Sequence, residues 1–322
     1  MARLKEYNGH YCESEYEYAF IGFLESEGWK YSSGNNIHRV TKRDVLIADD
    51  FKKFIADTNP DLTEDEVIQI YDNVRLVGAE SDFATLHKVY GWMVNGVQFT
   101  TQDGLPRMIP LIDFDNWDKN IFRVVNQFTV EYTNNGQKEN RRPDVLLFVN
   151  GMPLCVIELK NPADANATIY DAWEQINIRY WRDIPHLLHY CPLACISDGV
   201  KTRLGTVRTP YEHFYAWRRV NQGDAVSTLP FAETETMIKG VYAPERFMEI
   251  FRDYIYFQDS IYDSDEVEII CRYPQFFAAK LLKQSIVNSV VTRSGKGGTY
   301  FGATGCGKTY TMAFLARQLA LR

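Results

Sequence analysis

The chain has 322 residues, of which 45% are hydrophobic and 24% charged, and its formal net charge is −7. This composition is typical of a soluble, folded protein, and the length suggests two units. The negative charge argues against a protein that coats nucleic acid without sequence preference. No apolar run is long enough to cross a bilayer, and no secretory segment follows Met1, so we expect a cytoplasmic protein with no membrane association.

The first ninety residues predict helices. Apolar residues at helical spacing predict a helix over 14–28, where Ser14 and Glu17 have the spacing of a capping box. Two more helices are predicted over 61–77 and 80–94, the first of which opens on acidic residues that favour a helix N-terminus.

Strand patterns begin at residue 121. β-forming residues cluster there, and Asn134-Asn135-Gly136 is a strong turn signal. A helix is predicted over 169–181 and a strand over 193–197. This mixed order of helices and strands predicts an α/β domain with a central mixed sheet flanked by helices.

The region 222–236 lacks clear periodicity and is our candidate boundary between two units, 1–230 and 231–322. Beyond it the pattern predicts two helices, a short strand and a last helix, over residues 244–259, 275–289, 298–301 and 309–321. The six cysteines are scattered without any C-x-x-C spacing, so we expect them to be reduced.

Two apolar runs that flank Asn150-Gly151 carry the most informative polar residues. Asp144 opens the first run, and Glu158 and Lys160 close the second. Glu158 and Lys160 are two residues apart, so on a strand they project from the same face.

The length of the turn decides whether these side chains can meet. A two-residue turn would place Asp144 opposite Ile157, on the other sheet face from Glu158. A three-residue loop over 150–152 sets Asp144 directly across from Glu158. We predict the three-residue loop, because only that register brings the two carboxylates together, although local propensity favours the tight turn.

Two adjacent carboxylates can hold Mg²⁺, which prefers oxygen ligands. A lysine beside them can orient or help deprotonate a water and stabilise charge on phosphate oxygens. As a bare pattern Asp-x13-Glu-x-Lys is weak, since single surface carboxylates and lysines are more often structural. We expect nearby basic residues to line an approach for DNA, although a solvated face is an equal alternative for each of Arg141, Arg142, Arg179, Arg182, Lys201, Arg203, Arg208, Arg218 and Arg219.

A phosphate-binding loop, G-x-x-x-x-G-K-T, follows the predicted strand 298–301. Its amides can cradle phosphates at the N-terminus of the last helix, Lys308 would reach the β- and γ-phosphates, and Thr309 would bind Mg²⁺. The candidate nucleotide-binding residues of the loop are Gly302, Thr304, Gly305, Cys306, Gly307, Lys308 and Thr309.

With these motifs in order, the chain resembles the N-terminal part of the restriction subunit of type I restriction-modification enzymes. In that family a PD-(D/E)xK nuclease precedes a superfamily 2 helicase-like motor with a RecA-like P-loop domain. The segments that carry the resemblance are Glu17 with Phe20-Ile21, Gly28-Trp29, Asn126-Gln127-Phe128, Arg141 to Asp144, Glu158 to Pro162, and Arg272-Tyr273-x-Gln275.

The resemblance implies further site residues. The family's early-helix glutamate maps onto Glu17, with Glu13 and Glu15 as alternatives, and a Gln-x-x-x-Tyr element steadies the site. Here Gln175 is followed by a tyrosine one residue late, at Tyr180, and one residue turns a helical side chain by about 100°. Arg272 and Gln275 resemble the adenine-reading element of superfamily 2 helicases.

The implied function is a Mg²⁺-dependent, ATP-dependent DNA endonuclease. Such a subunit works with specificity and methyltransferase subunits, translocates double-stranded DNA and cuts it away from the recognition site. The alternative is an ATP-dependent DNA motor whose nuclease-like domain only binds DNA or other subunits. The chain ends thirteen residues after Thr309, so we expect a truncated motor lobe that does not hydrolyse ATP alone.

Overall fold

The computed structural model describes residues 13–78, 80–161, 168–226, 232–258 and 266–320. The α-helices of these ranges are α1 (Glu13–Ser26), α2 (Ala48–Thr58), α3 (Glu64–Arg75), α4 (Asp82–Asn95), α5 (Ile169–Glu174), α6 (Trp181–Asp183), α7 (Pro185–Leu188), α8 (Ala232–Met237), α9 (Pro244–Asp253), α10 (Tyr273–Thr292) and α11 (Lys308–Ala320). Two π-helical segments, Gln175–Tyr180 and Ile238–Tyr242, continue α5 and α8.

The strands are β1 (Lys30–Ser33), β2 (Val97–Thr100), β3 (Pro106–Ile109), β4 (Phe122–Asn126), β5 (Val130–Asn134), β6 (Gln137–Arg141), β7 (Val145–Val149), β8 (Met152–Leu159), β9 (Leu193–Ser197), β10 (Thr202–Thr206), β11 (Ile255–Gln258) and β12 (Val267–Ile270).

A six-stranded mixed sheet organises the fold, in the order β1-β4-β7-β8-β9-β10. β1 pairs with β4 and β8 with β9 in parallel, and the other pairs are antiparallel. Every residue of β7 and β8 is buried, because helices cover both faces of these central strands. α1 packs against β1, β4 and β8, and α5 against β8 and β9. The predicted α/β class with a central mixed sheet is confirmed.

Most predicted elements form close to their predicted bounds. β9 spans Leu193–Ser197 as predicted, and the β5–β6 hairpin turns at Asn135 and Gly136, both with positive φ. The expected capping box at Ser14 and Glu17 is wrong, since Ser14 lies inside α1 and the Glu17 carboxylate contacts another element. α2 was not predicted from the sequence.

Two C-terminal predictions are also wrong. The helix predicted over 244–259 ends at Asp253, and the chain continues as β11, which pairs with β12. No strand forms over 298–301, and Phe301 is 94% exposed. A β-strand requires a hydrogen-bonded neighbour, and no strand of the described ranges pairs with this segment.

The helices after the predicted boundary contribute to the same core as the sheet. The Trp29 Nε1–H donates to the Tyr242 carbonyl at 2.6 Å, and Phe247 packs edge-on against the Trp29 ring. The division into 1–230 and 231–322 stays a prediction. No helix in the described ranges is both long and apolar enough to span a membrane. Five cysteines are free thiols, and Cys12 lies outside the described residues.

Candidate active site

The hairpin between β7 and β8 has a two-residue turn. Val149 pairs with Met152, and Asn150 and Gly151 both have positive φ, 50° and 76°. Positive φ at both central residues is the geometry that suits Asn-Gly. The predicted three-residue loop over 150–152 is therefore wrong, and local propensity decides the turn.

A β-bulge corrects the register inside the hairpin. Leu147 pairs with Cys155 and Phe148 with Pro153, so Leu154 is the extra residue on β8. Beyond the bulge Val145 pairs with Ile157. The next positions outward, Asp144 and Glu158, consequently share one sheet face, as the sequence predicted, but by a different route.

Contacts from other elements hold the turn in place. The buried Asn150 side chain accepts from the Ile121 amide at 2.8 Å and donates to the Leu111 carbonyl at 2.9 Å. The Ile47 amide, at the start of α2, donates to the Gly151 carbonyl at 2.8 Å. A Cβ at position 151 would lie 2.2 Å from the Ile47 carbonyl oxygen, so only glycine fits beneath α2.

Four side chains form a hydrogen-bonded series beside the hairpin. Tyr180 donates its hydroxyl proton to Glu158 Oε1 at 2.6 Å and accepts from Gln175 Nε2 at 2.8 Å. Gln175 Oε1 in turn accepts from Lys160 Nζ at 3.0 Å. The Lys160 backbone amide donates to the Ser197 carbonyl at 2.8 Å, which continues the β8–β9 pairing. The structure thus brings Glu158, Lys160, Gln175 and Tyr180 together.

Asp144 completes the group from the neighbouring strand. Its Oδ2 accepts from the Leu159 amide at 2.8 Å, and its own amide donates to Glu158 Oε1 at 3.3 Å. Burial, and then the adjacent Asp144 carboxylate, raise the pKa of Glu158 well above its ordinary value, against the opposing effect of Lys160. Burial and the Glu158 carboxylate likewise raise the pKa of Tyr180.

One oxygen of this group has no hydrogen-bond donor among the residues that the structure describes. Glu158 is fully buried, and its Oε2 accepts no hydrogen bond from them. A buried carboxylate oxygen beside a second carboxylate is a donor set that suits a small, hard cation. No cluster of three or more His, Cys, Asp or Glu side chains arranged for a metal occurs in the described ranges.

The position of Tyr180 depends on an unusual helix. Residues Gln175–Tyr180 form a π-helical segment between α5 and α6. Its i to i+5 hydrogen bonds absorb the extra residue between Gln175 and Tyr180, so the two side chains meet. An α-helix with this spacing would turn Tyr180 away by about 100°. The late tyrosine was the only sequence signal for this arrangement.

Glu17 lies at the same end of the central strands as Glu158, but on the other face of the sheet. Its Oε1 accepts from Asn126 Nδ2 at 2.6 Å and from Gln127 Nε2 at 3.4 Å. Asn126 pairs with Val145, which pairs with Ile157, so by strand alternation α1 lies opposite the face that carries Glu158. The role of Glu17 in metal binding stays a prediction.

Glu13 and Glu15 were the alternatives to Glu17 for the metal site. Glu15 is half-buried, whereas Glu17 is buried. The side chain of Glu13 lies outside what the structure describes.

Carboxylates neutralise most of the basic residues predicted to line a DNA approach. Arg141 and Arg182 both bind Asp183, at 2.6 and 2.7 Å, and Arg179 binds Glu174 at 3.1 Å. Arg203 and Arg208 pair with Glu233 and Glu266. Arg142 is exposed and forms no ion pair with the described residues. For the arginines that form these ion pairs, the contacts therefore support the alternative of a solvated surface over that of a DNA approach.

The predicted phosphate loop wraps around its own lysine. Lys308 Nζ donates to the carbonyls of Gly302 and Ala303, both at 2.9 Å, and Gly305 and Gly307 have positive φ. Thr309 is exposed in the first turn of α11.

The predicted adenine-reading residues lie directly against this loop. Gln275 Oε1 accepts from the Arg272 amide at 2.8 Å, and its Nε2 donates to the Gly307 carbonyl at 3.2 Å. A Cβ at Gly307 would lie 2.2 Å from Gln275 Nε2, so glycine permits this approach. A cleft of about 320 Å³ opens beside these residues, with Thr209 and Tyr310 on its walls.

Comparison with known proteins agrees with the resemblance inferred from the motifs. Residues 11–213 match the family described as Type I restriction enzyme R protein N terminus. A putative type I restriction enzyme MjaIXP endonuclease subunit of Methanocaldococcus jannaschii is 30% identical over 331 residues, covering 94% of this chain and 31% of that protein. The type I restriction enzyme HindI endonuclease subunit of Haemophilus influenzae is 29% identical, covering 95% of this chain and 30% of that protein.

The chain belongs to the type I restriction enzyme R protein family, and it matches the N-terminal part of that family's members. It spans about a third of the length of the relatives described above.

Proposed function

We propose that this chain contains the Mg²⁺-dependent nuclease centre of a type I restriction endonuclease subunit, built from Asp144, Glu158 and Lys160. The observation that carries the proposal is a pair of adjacent carboxylates beside a lysine held by Gln175, in which one buried oxygen accepts no hydrogen bond from the described residues. The names of the relatives as endonuclease subunits support the same conclusion. The proposed substrate is double-stranded DNA, and the proposed reaction is phosphodiester hydrolysis.

The roles of the protein groups follow from their contacts. Asp144 and Glu158 would hold the cation, and the chemistry that Mg²⁺ supplies there is polarisation of the phosphate and easier deprotonation of the attacking water. Tyr180 fixes the Glu158 rotamer through its hydrogen bond, so that Oε2 stays available. Gln175 keeps the Lys160 ammonium beside the carboxylates, where it can orient the water and stabilise phosphate charge.

In the proposed hydrolysis, one bond to phosphorus forms, one breaks, and the protons are exchanged with solvent. A water oxygen attacks phosphorus and loses its proton to solvent, one ester bond between phosphorus and a sugar oxygen breaks, and that oxygen takes a proton from solvent. No covalent intermediate with the protein is required, so the side chains act by binding, orientation and charge.

The second proposed activity concerns ATP. The phosphate loop and the cleft next to Arg272 and Gln275 support nucleotide binding at the N-terminus of α11. Thr309 would contribute to Mg²⁺ binding with the nucleotide. We propose that the full-length subunit, in the cytoplasm and together with specificity and methyltransferase subunits, uses ATP to translocate DNA before cutting away from the recognition site.

A lysine substitution tests the nuclease assignment. In the full-length subunit assembled with its partners, Lys160→Ala should reduce double-strand cleavage at least about 100-fold, because the variant loses the ammonium beside the phosphate. ATP hydrolysis and DNA translocation should stay near the wild-type rates, since the phosphate loop is unchanged.

A matched control and a contrary outcome complete this test. Lys53→Ala, at an exposed lysine on α2, should cut at the wild-type rate. Wild-type cleavage by Lys160→Ala would overturn the assignment and favour the alternative, a DNA motor whose nuclease-like domain only binds DNA or other subunits.

A further inference from the structure

Two tryptophans flank the π-helical segment Gln175–Tyr180: Trp173 lies two residues before it and Trp181 directly after it. Both indoles donate hydrogen bonds to the same turn of the chain, residues 206–209. Trp173 Nε1–H donates to the Thr209 carbonyl at 2.9 Å, and Trp181 Nε1–H donates to the Val207 carbonyl at 2.8 Å. With its amide oriented to satisfy both neighbours, Asn177 donates to the same Val207 carbonyl at 2.8 Å.

The turn that accepts these bonds is itself well anchored. It directly follows β10, an edge strand of the main sheet. The Thr206 amide donates to Thr209 Oγ1 at 2.8 Å, and the Thr209 amide donates to the Thr206 carbonyl at 3.1 Å. Residues 206–209 therefore form a closed turn attached to the sheet, to which a helix can be fixed.

A π-helix needs support from outside itself. This geometry is rare and usually occurs as a single turn inside an α-helix, because α-helical hydrogen bonding is locally preferred. If the segment relaxed to an α-helix, the residues after it would rotate by about 100° relative to Gln175. Tyr180 would then lose its hydrogen bonds to Gln175 and Glu158.

We propose that Trp173 and Trp181 are positioning residues of the nuclease centre, whose indole N–H groups hold the π-helical segment and thereby keep Tyr180 on Glu158. This inference rests on the proposed nuclease function for its effect on cleavage. Its structural part, that the two indoles maintain the π-helical geometry, stands independently of that function.

The direct test removes the two indole N–H donors and keeps an aromatic ring at each position. The double variant Trp173→Phe/Trp181→Phe retains aromatic rings at both ends, and in the full-length, assembled enzyme it should lower the cleavage kcat by roughly 10- to 100-fold, the range seen for residues that orient metal ligands. The KM for DNA should change little, because the variant keeps every basic residue that was predicted to line a DNA approach. Trp92→Phe, at a half-buried indole that forms no hydrogen bond in the described residues, is the matched control and should cleave normally.

A deletion distinguishes positioning from general loss of stability. Removal of Ile178, which is 47% exposed, restores the Gln-x-x-x-Tyr spacing in an ordinary α-helix. The double variant that also lacks Ile178 should recover cleavage to within about threefold of wild type, since the indole bonds are then unnecessary. A purely structural role for the indoles predicts no such rescue.

Amide hydrogen exchange of the same full-length variants, measured without DNA or metal, gives an independent readout. The double variant should exchange faster over residues 175–183, and the Ile178 deletion should restore protection. Normal protection and normal cleavage in the double variant, or folded protein without rescue by the deletion, would overturn the proposal. If wild-type enzyme does not cleave with Mg²⁺ while the exchange pattern follows expectation, the nuclease assignment fails and the indole proposal stands.

Discussion

At the residue scale, the proposed chemistry of the site is concentrated in one buried carboxyl group. Glu158 receives a hydrogen bond from Tyr180 on Oε1 and, within the described ranges, none on Oε2, and the Asp144 carboxylate lies beside it. Burial without a partner costs free energy whenever the group is ionised. Such a cost is expected where a protein keeps a group ready for a ligand rather than for stability.

Replacement of Glu158 by glutamine should therefore stabilise the metal-free protein at neutral pH. The pKa of Glu158 is raised in the folded state, so the stability it contributes is complete below its unfolded pKa and is lost as the pH rises from there through the raised folded pKa. Glutamine removes this decline and can still accept from Tyr180. Each kcal/mol gained should raise Tm by roughly 2–4 °C.

Thermal melts between pH 4 and pH 8 measure this difference. The advantage of Glu158→Gln should be largest at the alkaline end and shrink toward pH 4, where both side chains are neutral. Millimolar Mg²⁺ should raise the Tm of wild type and leave the variant unchanged, since only wild type would bind the ion at this site. A variant less stable than wild type at every pH would contradict this account of the buried carboxyl.

At the scale of elements, the β7–β8 hairpin is the part that positions Asp144 and Glu158, the proposed catalytic pair. Its turn follows local propensity, its bulge at Leu154 shifts the register, and the start of α2 closes over Gly151. A bulge changes which face the following side chains occupy. Because the bulge shifts the register by one residue, Asp144 and Glu158 lie on one sheet face although the turn has only two residues.

Alanine at Gly151 should be much more destabilising than alanine at an equivalent hairpin glycine. Gly151→Ala combines positive φ with a Cβ only 2.2 Å from the Ile47 carbonyl oxygen. Gly136, in the β5–β6 turn, has φ of 81° and open space around its Cβ, so Gly136→Ala is the matched control.

Urea unfolding gives the two free energies for this comparison. We expect a loss of about 1–2 kcal/mol for Gly136→Ala, from backbone strain alone. Gly151→Ala should lose a further 1–3 kcal/mol or so, the usual range for overpacking, and should weaken cleavage because α2 moves. Equal losses at the two positions would show that contact with α2 does not constrain the hairpin.

At the scale of the whole molecule, the proposed nuclease centre and the predicted phosphate loop occupy different regions of one chain. The chain spans about a third of the relatives' length, and P-loop motors need an acidic Mg²⁺-positioning residue and an arginine in addition to the loop. We expect these groups from the remainder of the full-length subunit. The 322-residue chain should therefore bind ATP weakly and not turn it over.

ATPase assays of the 322-residue chain and of the full-length subunit, each with DNA and partner subunits, test this expectation. Lys308→Ala in the full-length subunit should stop translocation and the remote cleavage that depends on it, although Asp144, Glu158 and Lys160 are intact. Comparable turnover by the shorter chain and the full-length subunit would show that the motor is complete within these 322 residues.

Local sequence patterns were sufficient for much of this protein. The Leu193–Ser197 strand and the Asn135-Gly136 turn depend on side-chain periodicity and on backbone φ, which neighbouring residues determine. The spacing of Glu158 and Lys160 likewise placed them together at the end of one strand, and ordered motifs were enough to indicate the family. These properties are local, so the sequence alone determined them.

The decisive features of the site depended on contacts between distant segments. The bulge at Leu154 satisfies both the turn and the buried sheet faces, and the π-helical segment at Gln175–Tyr180 is bonded to the turn after β10. Local sequence does not strongly favour either the bulge or the π-helical segment. Each lacks some regular hydrogen bonds and is stabilised by contacts with distant residues. The sequence by itself therefore determined which residues are candidates for catalysis, whereas the tertiary structure alone decided how Asp144, Glu158 and Tyr180 meet.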